Sequence, residues 1–367
     1  MLLSACSAGH GSSNSPTPGP TLSKGSATAT PHVPPSGWIN VLPGLRVTNL
    51  AGEQGLAASA AQPGRIAGCA LPAGIPSQEA VPTFVLSDDA GRTWQTRSIT
   101  GASATKSCAI LADTQQRDTF VVEGPDRIMV TTNAGLNWTS LVPSSSVTPS
   151  YAYGLVGGHL FGFVVLQGSS NVHLAETPIA NGAWRLLDAD LPQGAIIDSQ
   201  IPLAVDPDDP ATIFAGILLD QGGRAVVATH DSGASWHVVL KLPDAQRIAI
   251  RTAHQHQAFI EQLIGKNTRY QLYYSKDDGT IWRGIGLHYK SGGESLYIDP
   301  DGTIMSEAGV DATTYNLFAL DPATGSFTRQ GTYALGPGLN MGVLVNGATP
   351  VLILAGMFNT FALYLPA

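Results

Sequence analysis

The sequence predicts an all-β protein built from one supersecondary unit that is repeated along the chain. Three observations carry this prediction: an eight-residue motif recurs, tryptophans recur at a near-constant interval, and short β-branched and aromatic runs flank each motif. Trp94 and Trp138 lie 44 residues apart, and Trp236 and Trp282 lie 46 apart. Such a period indicates one strand-rich unit stacked many times. The motif copies, of pattern S/T-x-D/N-x-G-x-x-W, are Ser87–Trp94, Thr131–Trp138, Thr229–Trp236 and Ser275–Trp282.

Each motif is expected to form a tight turn between two strands. Its acid or amide can accept hydrogen bonds from downstream backbone N–H groups, and its glycine supplies a positive φ at little steric cost. The first Ser or Thr can hold the other arm of the turn, and the tryptophan buries its ring between neighbouring repeats. The residues with these structural roles are Asp89, Gly91 and Trp94; Asn133, Gly135 and Trp138; Asp231, Gly233 and Trp236; and Asp277, Gly279 and Trp282.

The four motifs resemble the Asp-box, or bacterial neuraminidase repeat, of sialidase-like β-propellers. The resemblance covers roughly residues 36–367, and it implies blades that are four-stranded antiparallel sheets. In that family the box lies on the outer-rim turn between the third and fourth strands, away from the ligand face. A structural rather than a catalytic role is therefore expected for the motifs.

Seven aromatic residues mark strand starts and favour seven blades. After Phe327 the chain offers only three further strands, so the strand Gly37–Val41 is expected to complete the last blade. This pairing of the N-terminal strand with the C-terminal blade would remove open sheet edges. Six blades are the alternative, if the Trp38 segment is only a tail. The seven anchors are Trp38, Trp94, Trp138, Trp184, Trp236, Trp282 and Phe327.

Residues 1–35 differ from the propeller region in composition. Leu3–Cys6 resembles a bacterial lipobox, in which Cys6 would carry the lipid, and residues 7–35 are mainly Ser, Thr, Pro, Gly and Ala. Such a composition is typical of a disordered tether. We therefore expect an exported lipoprotein, anchored at the outer side of a bacterial membrane, with its propeller in residues 36–367.

The remaining cysteines, Cys69 and Cys108, fall in neighbouring blades and could face each other across the interface. A disulfide, as favoured in an oxidising compartment, and two buried free thiols both remain open.

Composition limits the partners of the chain. Charged residues make up 13% of it, and 19 Lys and Arg against 27 Asp and Glu give a net charge of −8. Without a basic cluster, nucleic acid is not an expected partner. The chain is expected to need no cofactor.

A ligand is expected at the face opposite the motif turns, at the mouth of the central channel. The loops there join the second strand of a blade to the third, and the fourth to the next blade. The polar candidates in these loops are Glu123, Asp126, Arg127, Asp220, Arg224, Lys266, Arg269, His288 and Tyr289.

Two further strings contain metal-ligand residue types. The segment 206–210 holds three carboxylates, but its Asp–Pro pairs are typical of turns and its spacing differs from that of a calcium loop. His254 and His256 would lie on one side of a strand and could bind zinc or copper, but the sequence names no third ligand. We therefore assign no metal site.

Sialidase chemistry requires three arginines, a Tyr–Glu pair and an acid/base aspartate. The string closest to the family's early Arg-Ile-Pro element is Gly64–Ala67, which lacks the proline, and no Tyr–Glu pair can be assigned. The sequence therefore predicts a non-catalytic binding or scaffold propeller with a protein or glycan ligand at the channel mouth. An exo-acting glycosidase of sialidase type is the alternative.

Overall fold

The computed structural model describes residues 38–48, 55–72, 80–105, 108–124, 127–141, 147–198, 203–219, 223–264, 269–286, 296–298, 302–309, 313–334, 341–345, 350–354, 360–361 and 364–366. These residues form strands and turns, and none of them is helical. Among them, no helix has the length and apolarity needed to cross a membrane. The expected lipid site Cys6 and its tether lie outside the described residues.

Six antiparallel sheets of four or more strands follow one another along the described residues, as the blades of a six-bladed β-propeller. A short strand, β1 (Trp38–Asn40), precedes them. The first blade contains β2 (Leu45–Thr48), β3 (Leu56–Ala58), β4 (Ile66–Pro72), β5 (Thr83–Ser87) and β6 (Gln95–Ser98). The second contains β7 (Ala109–Ala112), β8 (Phe120–Glu123), β9 (Ile128–Thr131) and β10 (Thr139–Leu141). The third contains β11 (Val147–Val156), β12 (His159–Leu166), β13 (Val172–Pro178) and β14 (Arg185–Leu186).

The other three blades repeat this pattern. The fourth contains β15 (Ile196–Ile197), β16 (Ala204–Val205), β17 (Ile213–Leu218), β18 (Arg224–Thr229) and β19 (His237–Leu242). The fifth contains β20 (Ala245–Ala253), β21 (Gln257–Ile264), β22 (Arg269–Ser275) and β23 (Arg283–Gly286). The sixth contains β24 (Leu296–Ile298), β25 (Ile304–Gly309), β26 (Thr314–Asp321) and β27 (Ser326–Ala334). The last strands are β28 (Met341–Val345), β29 (Pro350–Leu354), β30 (Thr360–Phe361) and β31 (Tyr364–Pro366).

The expected pairing of the N-terminal strand with the C-terminal segment is confirmed. β1 pairs with β31, with Trp38 opposite Pro366 and Asn40 opposite Tyr364, and β30 adds to the first blade by pairing with β2. Among the described residues, the strands expected to form a seventh blade make two two-stranded sheets, β28–β29 and β1–β31. The described residues therefore form six blades, the alternative that the sequence left open.

Each blade is a meander, so its turns lie at two opposite ends. One end, which we call the motif-turn face, carries the turn between the first and second strands and the motif turn between the third and fourth. The other end, the channel-mouth face, carries the remaining loops. In the four motif-bearing blades the two turns of the motif-turn face are joined by a backbone hydrogen bond, as from Ser232 N to Ala211 O at 3.0 Å.

The hydrophobic core lies between neighbouring blades. Phe84 of the first blade packs on Phe120 and Trp138 of the second, with ring centroids 5.4 Å apart in both pairs. Phe214 of the fourth blade meets Trp282 of the fifth in the same way at 6.3 Å. Middle strands such as β17 and β18 are buried almost throughout, whereas the outer strand β27 is largely exposed. This explains why the middle strands are continuous apolar runs in the sequence.

A disulfide crosses the first of these interfaces. Cys69 on β4 and Cys108 beside β7 are bonded, with their Cα atoms 6.0 Å apart. Both cysteines are buried among the apolar side chains that the first and second blades share.

All four motifs form the same turn. The first residue of each motif accepts a hydrogen bond from the motif glycine N–H, at 2.8 to 3.0 Å. The acid or amide accepts from the N–H four residues later, at 2.8 to 3.0 Å. The residue before each glycine also has a positive φ: Ala90, Ala134, Ser232 and Asp278. The position before the glycine is occupied by a small residue in three copies and by a carboxylate, Asp278, in the fifth blade.

Candidate functional site

Five polar side chains meet on the motif-turn face between the fourth and fifth blades. Asp206 and Asp208 lie in the turn between β16 and β17. His254 and His256 lie in the turn between β20 and β21. Asp278 comes from the motif turn between β22 and β23. Three separate turns from two blades therefore build one cluster.

The centre of the cluster is the imidazole of His256. Its Nδ1 lies 2.8 Å from Asp206 Oδ2 and 3.2 Å from Asp278 Oδ2. One donor atom from each of these three residues lies within 4.8 Å of the others. Asp206 is 1% exposed, whereas the side chain of His256 is 50% exposed. The cluster therefore has a buried wall on the fourth blade and a side that is open to solvent.

The second ion pair of the cluster holds the histidine turn in place. Asp208 Oδ1 lies 2.5 Å from His254 Nδ1, and its Oδ2 accepts the Gln255 N–H at 2.6 Å. Gln255 and His256 both have left-handed φ values, 63° and 58°. Such a conformation costs of order 1–3 kcal/mol per residue outside glycine and persists only where the surroundings enforce it. Asp208 provides that enforcement from the neighbouring blade.

Asp113, at the interface between the second and third blades, occupies the position that corresponds to Asp206. Asp113 and Asp206 each follow the first strand of a blade, and each uses Oδ1 to cap its own turn, from Gln115 N at 2.8 Å and Asp208 N at 2.7 Å. At the second blade, Asp113 also accepts N–H bonds from Gly157 and Gly158 of the next blade. Asp206 instead faces an imidazole and a second carboxylate.

The charges of the cluster perturb one another. Burial, and then the hydrogen bond and negative charge of Asp206, raise the pKa of Asp278 to about 7. The hydrogen bond to Asp206 raises the pKa of His256 above its ordinary value, with burial opposing it and the charge of Asp278 adding to it. Burial works against ionisation of Asp208, but bonds from His254 and the Gln255 amide lower its pKa overall. The two carboxylates beside His256 therefore favour a positive charge between them.

The arrangement differs from the sequence expectation for His254 and His256. Both were expected on one side of a strand, but they occupy a turn whose left-handed backbone directs them to different aspartates. The carboxylates of Asp206 and Asp278, which the sequence did not place beside a histidine, both lie next to His256 Nδ1. A signal for Asp278 exists in the motif alignment, where the other copies carry Ala90, Ala134 and Ser232.

The candidates at the channel mouth are only partly described. Glu123 ends β8, half-buried, and Arg127 donates to Gly101 O at 3.2 Å. Arg224 begins β18 and donates to Asp198 Oδ2 at 2.8 Å and to Ala245 O at 3.0 Å. These side chains belong to the second and fourth blades, at the end of the strands opposite the cluster. Asp126, Asp220, Lys266, His288, Tyr289 and the side chain of Arg269 lie outside the described residues.

Arg65, in the string nearest to the sialidase Arg-Ile-Pro element, has a buried position in the structure. Its side chain is 2% exposed and pairs with Asp88 at 3.0 Å and with Asp118 of the second blade at 2.7 Å. Its guanidinium also lies 5.9 Å from the ring centroid of Phe120. Arg65 therefore ties the first blade to the second.

No protein-family model matches the chain, and no curated protein matches it in sequence. Solved structures with a similar fold include YCF48 bound to a D1 peptide, with 11% identity, a TM-score of 0.46 and coverage of 92% of this chain and 99% of that one. An oligogalacturonate lyase in complex with manganese has 14% identity, a TM-score of 0.46 and coverage of 68% and 72%. A Hadza microbial sialidase has 14% identity, a TM-score of 0.41 and coverage of 75% and 63%. At these identities the likeness concerns the fold alone. Its own sheets identify the chain as a β-propeller protein.

Proposed function

We propose that this chain is a non-catalytic binding or scaffold propeller, exported and held at the outer side of a bacterial membrane. The observation that carries the proposal is that three arginines bond to neighbouring blades. Arg97, Arg185 and Arg283 lie after the turns of the first, third and fifth blades, on the outer strands. Each donates to a backbone carbonyl in the corresponding turn of the next blade.

These contacts make the arginines ties between blades. Arg97 donates to Ala134 O, and Arg283 donates to Ala323 O. Arg185 donates to Ser232 O at 3.2 Å and also pairs with Glu176 at 2.8 Å. A sialidase instead needs arginines that converge on the carboxylate of a sugar, where bidentate pairing gives affinity and orientation. Arg97, Arg185 and Arg283 instead each bond to the next blade, so they hold neighbouring blades together and do not converge on one pocket.

The same holds for the arginine candidate of the fourth blade. Arg224 bonds to Asp198 within its blade and to Ala245 O of the fifth blade. Because a guanidinium has five donors in a fixed fork, it can join two strands and a carboxylate at once.

The disulfide supports the proposed location. Disulfides persist in oxidising compartments outside the cytosol and are rare inside it. The bond between Cys69 and Cys108 therefore fits a protein exported across the membrane. Lipidation of Cys6 and a tether over residues 7–35 complete this proposal and stay predictions from the sequence.

The ligand is proposed to bind at the channel-mouth face and to be a protein or a glycan. On the motif-turn face, the polar side chains described above bond within and between blades, as Asp113 and Arg65 illustrate. The net charge of −8 makes nucleic acid an unsuitable ligand.

A hydrolase assay tests the non-catalytic part of the proposal. The purified full chain is expected to release no sialic acid from a fluorogenic sialoside, because hydrolysis needs a placed nucleophile and acid. Turnover that is lost in Arg127→Ala and kept in Arg117→Ala would contradict the proposal and support the exo-acting glycosidase. Arg117 is the matched control, since it is an exposed arginine of the same blade on the opposite face.

A further inference from the structure

We propose that Asp206, His256 and Asp278 bind a divalent transition-metal ion that joins the fourth and fifth blades. Asp206 belongs to the fourth blade, and His256 and Asp278 belong to the fifth. An ion held by all three would therefore bridge the interface. The site lies on the motif-turn face and does not depend on the ligand proposed at the channel mouth.

The distances fit a metal ion after a small movement. Ligand atoms at about 2.0–2.1 Å from a tetrahedral zinc ion stand roughly 3.3 Å from one another. His256 Nδ1 lies 2.8 Å from Asp206 Oδ2 and 3.2 Å from Asp278 Oδ2. Both distances are within a few tenths of an ångström of that spacing, and the three ligand atoms all lie within 4.8 Å of one another.

The donor types select the class of metal. One imidazole nitrogen and two carboxylate oxygens suit first-row transition ions such as Zn²⁺. Calcium and magnesium prefer ligand sets made of oxygen alone. Three protein ligands leave a fourth position, and the half-exposed His256 places that position toward solvent. Zn²⁺ is the ion chosen for the test.

The ligands are held before any ion arrives. Asp206 is buried, and its Oδ1 accepts the Asp208 N–H at 2.7 Å, which leaves Oδ2 directed at His256. Asp208 in turn bonds to His254 and to the Gln255 N–H, which fixes the backbone on either side of the histidine ligand. Partners of this kind orient metal ligands and commonly raise metal affinity by 10- to 100-fold.

The comparison with Asp113 shows that this cluster exceeds what the interface requires. Between the second and third blades, Asp113 joins the turns through the N–H groups of Gly157 and Gly158. Neutral donors therefore suffice to close such an interface. At the fourth and fifth blades, a second carboxylate, Asp278, has been added opposite Asp206. Two carboxylates and a neutral imidazole around a divalent ion have no net charge.

Zinc titration of the full chain tests the proposal. The protein is treated with EDTA, carries no histidine tag, and is titrated calorimetrically with zinc alone. Wild type is expected to bind one zinc per chain, and Asp278→Asn is expected to weaken binding at least about tenfold, since losing a direct ligand should cost no less than losing an outer partner. Asp277→Asn is the matched control, because it makes the same charge change one residue away and asparagine occupies this position in the second motif. Its affinity is expected to stay within about twofold of wild type.

Thermal unfolding separates ligand loss from fold loss. At free zinc one hundred times the dissociation constant, the melting temperature of wild type and of Asp277→Asn is expected to rise by about 4 °C. Asp278→Asn is expected to melt at or above the wild-type temperature without zinc, and to show no rise with it. His256→Gln is expected to behave in the same way toward zinc. Equal zinc affinity in wild type and Asp278→Asn, or no stoichiometric binding by wild type, would overturn the proposal.

Discussion

Replacing Thr229 with valine should destabilise the propeller by removing the acceptor of a buried amide. Thr229 is 0% exposed. Its hydroxyl accepts the Gly233 N–H at 2.9 Å in a buried setting and donates to Asp231 Oδ1 at 2.7 Å. Valine keeps the volume and shape of the side chain but removes these two bonds and the longer one, at 3.3 Å, that the hydroxyl accepts from the Asp231 N–H. The cavity contribution is therefore small, and the loss of stability reports the hydrogen bonds.

The magnitude follows from the burial of each bond. A buried N–H left without an acceptor costs about 1–3 kcal/mol, and the bonds to the exposed Asp231 add little because water replaces them, so the total is about 1–3 kcal/mol. An unfolding entropy of about 2.1 cal/mol/K per residue over about 330 residues converts this loss into a fall in melting temperature of roughly 1.5–4 °C. Differential scanning calorimetry measures it.

Two variants of the same turn make the comparison sharp. Thr229→Ser keeps the hydroxyl and copies the residue of the first and fourth motifs, so it should recover most of the loss. Ser235→Ala removes only the exposed bond to Asp231 and should change the melting temperature by less than about 1 °C. If Thr229→Val melts within 1 °C of wild type, or no lower than Thr229→Ser, the bond from the buried Gly233 N–H to the Thr229 hydroxyl does not stabilise the fold.

Three further predictions concern a motif glycine, a motif aspartate and the disulfide. Gly233→Ala should lower the free energy of unfolding by about 2–4 kcal/mol, because the φ of Gly233 is +86° and an added Cβ would lie 2.5 Å from Leu187 O. Gly168→Ala, where φ is +80° and nothing lies within 4 Å of the added Cβ, should lower it clearly less when both variants are unfolded with urea. Hydrogen bonds from the Ser235 and Thr229 side chains lower the pKa of Asp231 to about 2. Its stabilisation is therefore fully present above its ordinary pKa of 3.8 and is lost as the pH falls toward 2; the melting temperatures of wild type and Asp231→Asn should converge over that window, and a constant difference would contradict the assignment. The disulfide closes a separation of 39 residues, so the double variant Cys69→Ala/Cys108→Ala should lose about 2–4 kcal/mol and, unlike wild type, should unfold at the same denaturant concentration with or without reductant.

Features that arise from local sequence were predictable. The motif turns follow from residue types at fixed spacing, because an acceptor, a positive-φ glycine and a strand start all lie within eight residues. The spacing also indicated the blades and the facing positions of Cys69 and Cys108. Within the turn, the acid accepts a downstream N–H as expected, but the buried Gly233 N–H bonds to Thr229. Burial decides which acceptor matters, and the pattern alone does not report it.

Features that depend on the meeting of distant segments were not predictable. Asp206 and His256 are 50 residues apart in sequence, and each string alone resembled an ordinary turn. Their contact requires the register of two blades and the left-handed turn at Gln255 and His256. The blade count was uncertain for a similar reason, because the closing region combines both ends of the chain, as in the pairing of β1 with β31.

Anomalous scattering from a zinc-soaked crystal of the full chain tests the metal site most directly. Data collected on both sides of the zinc absorption edge locate zinc independently of the protein coordinates. We expect one strong peak within about 2.3 Å of His256 Nδ1, Asp206 Oδ2 and Asp278 Oδ2, and no such peak in Asp278→Asn. A wild-type map with no peak there, or with zinc only at other histidines, would contradict it.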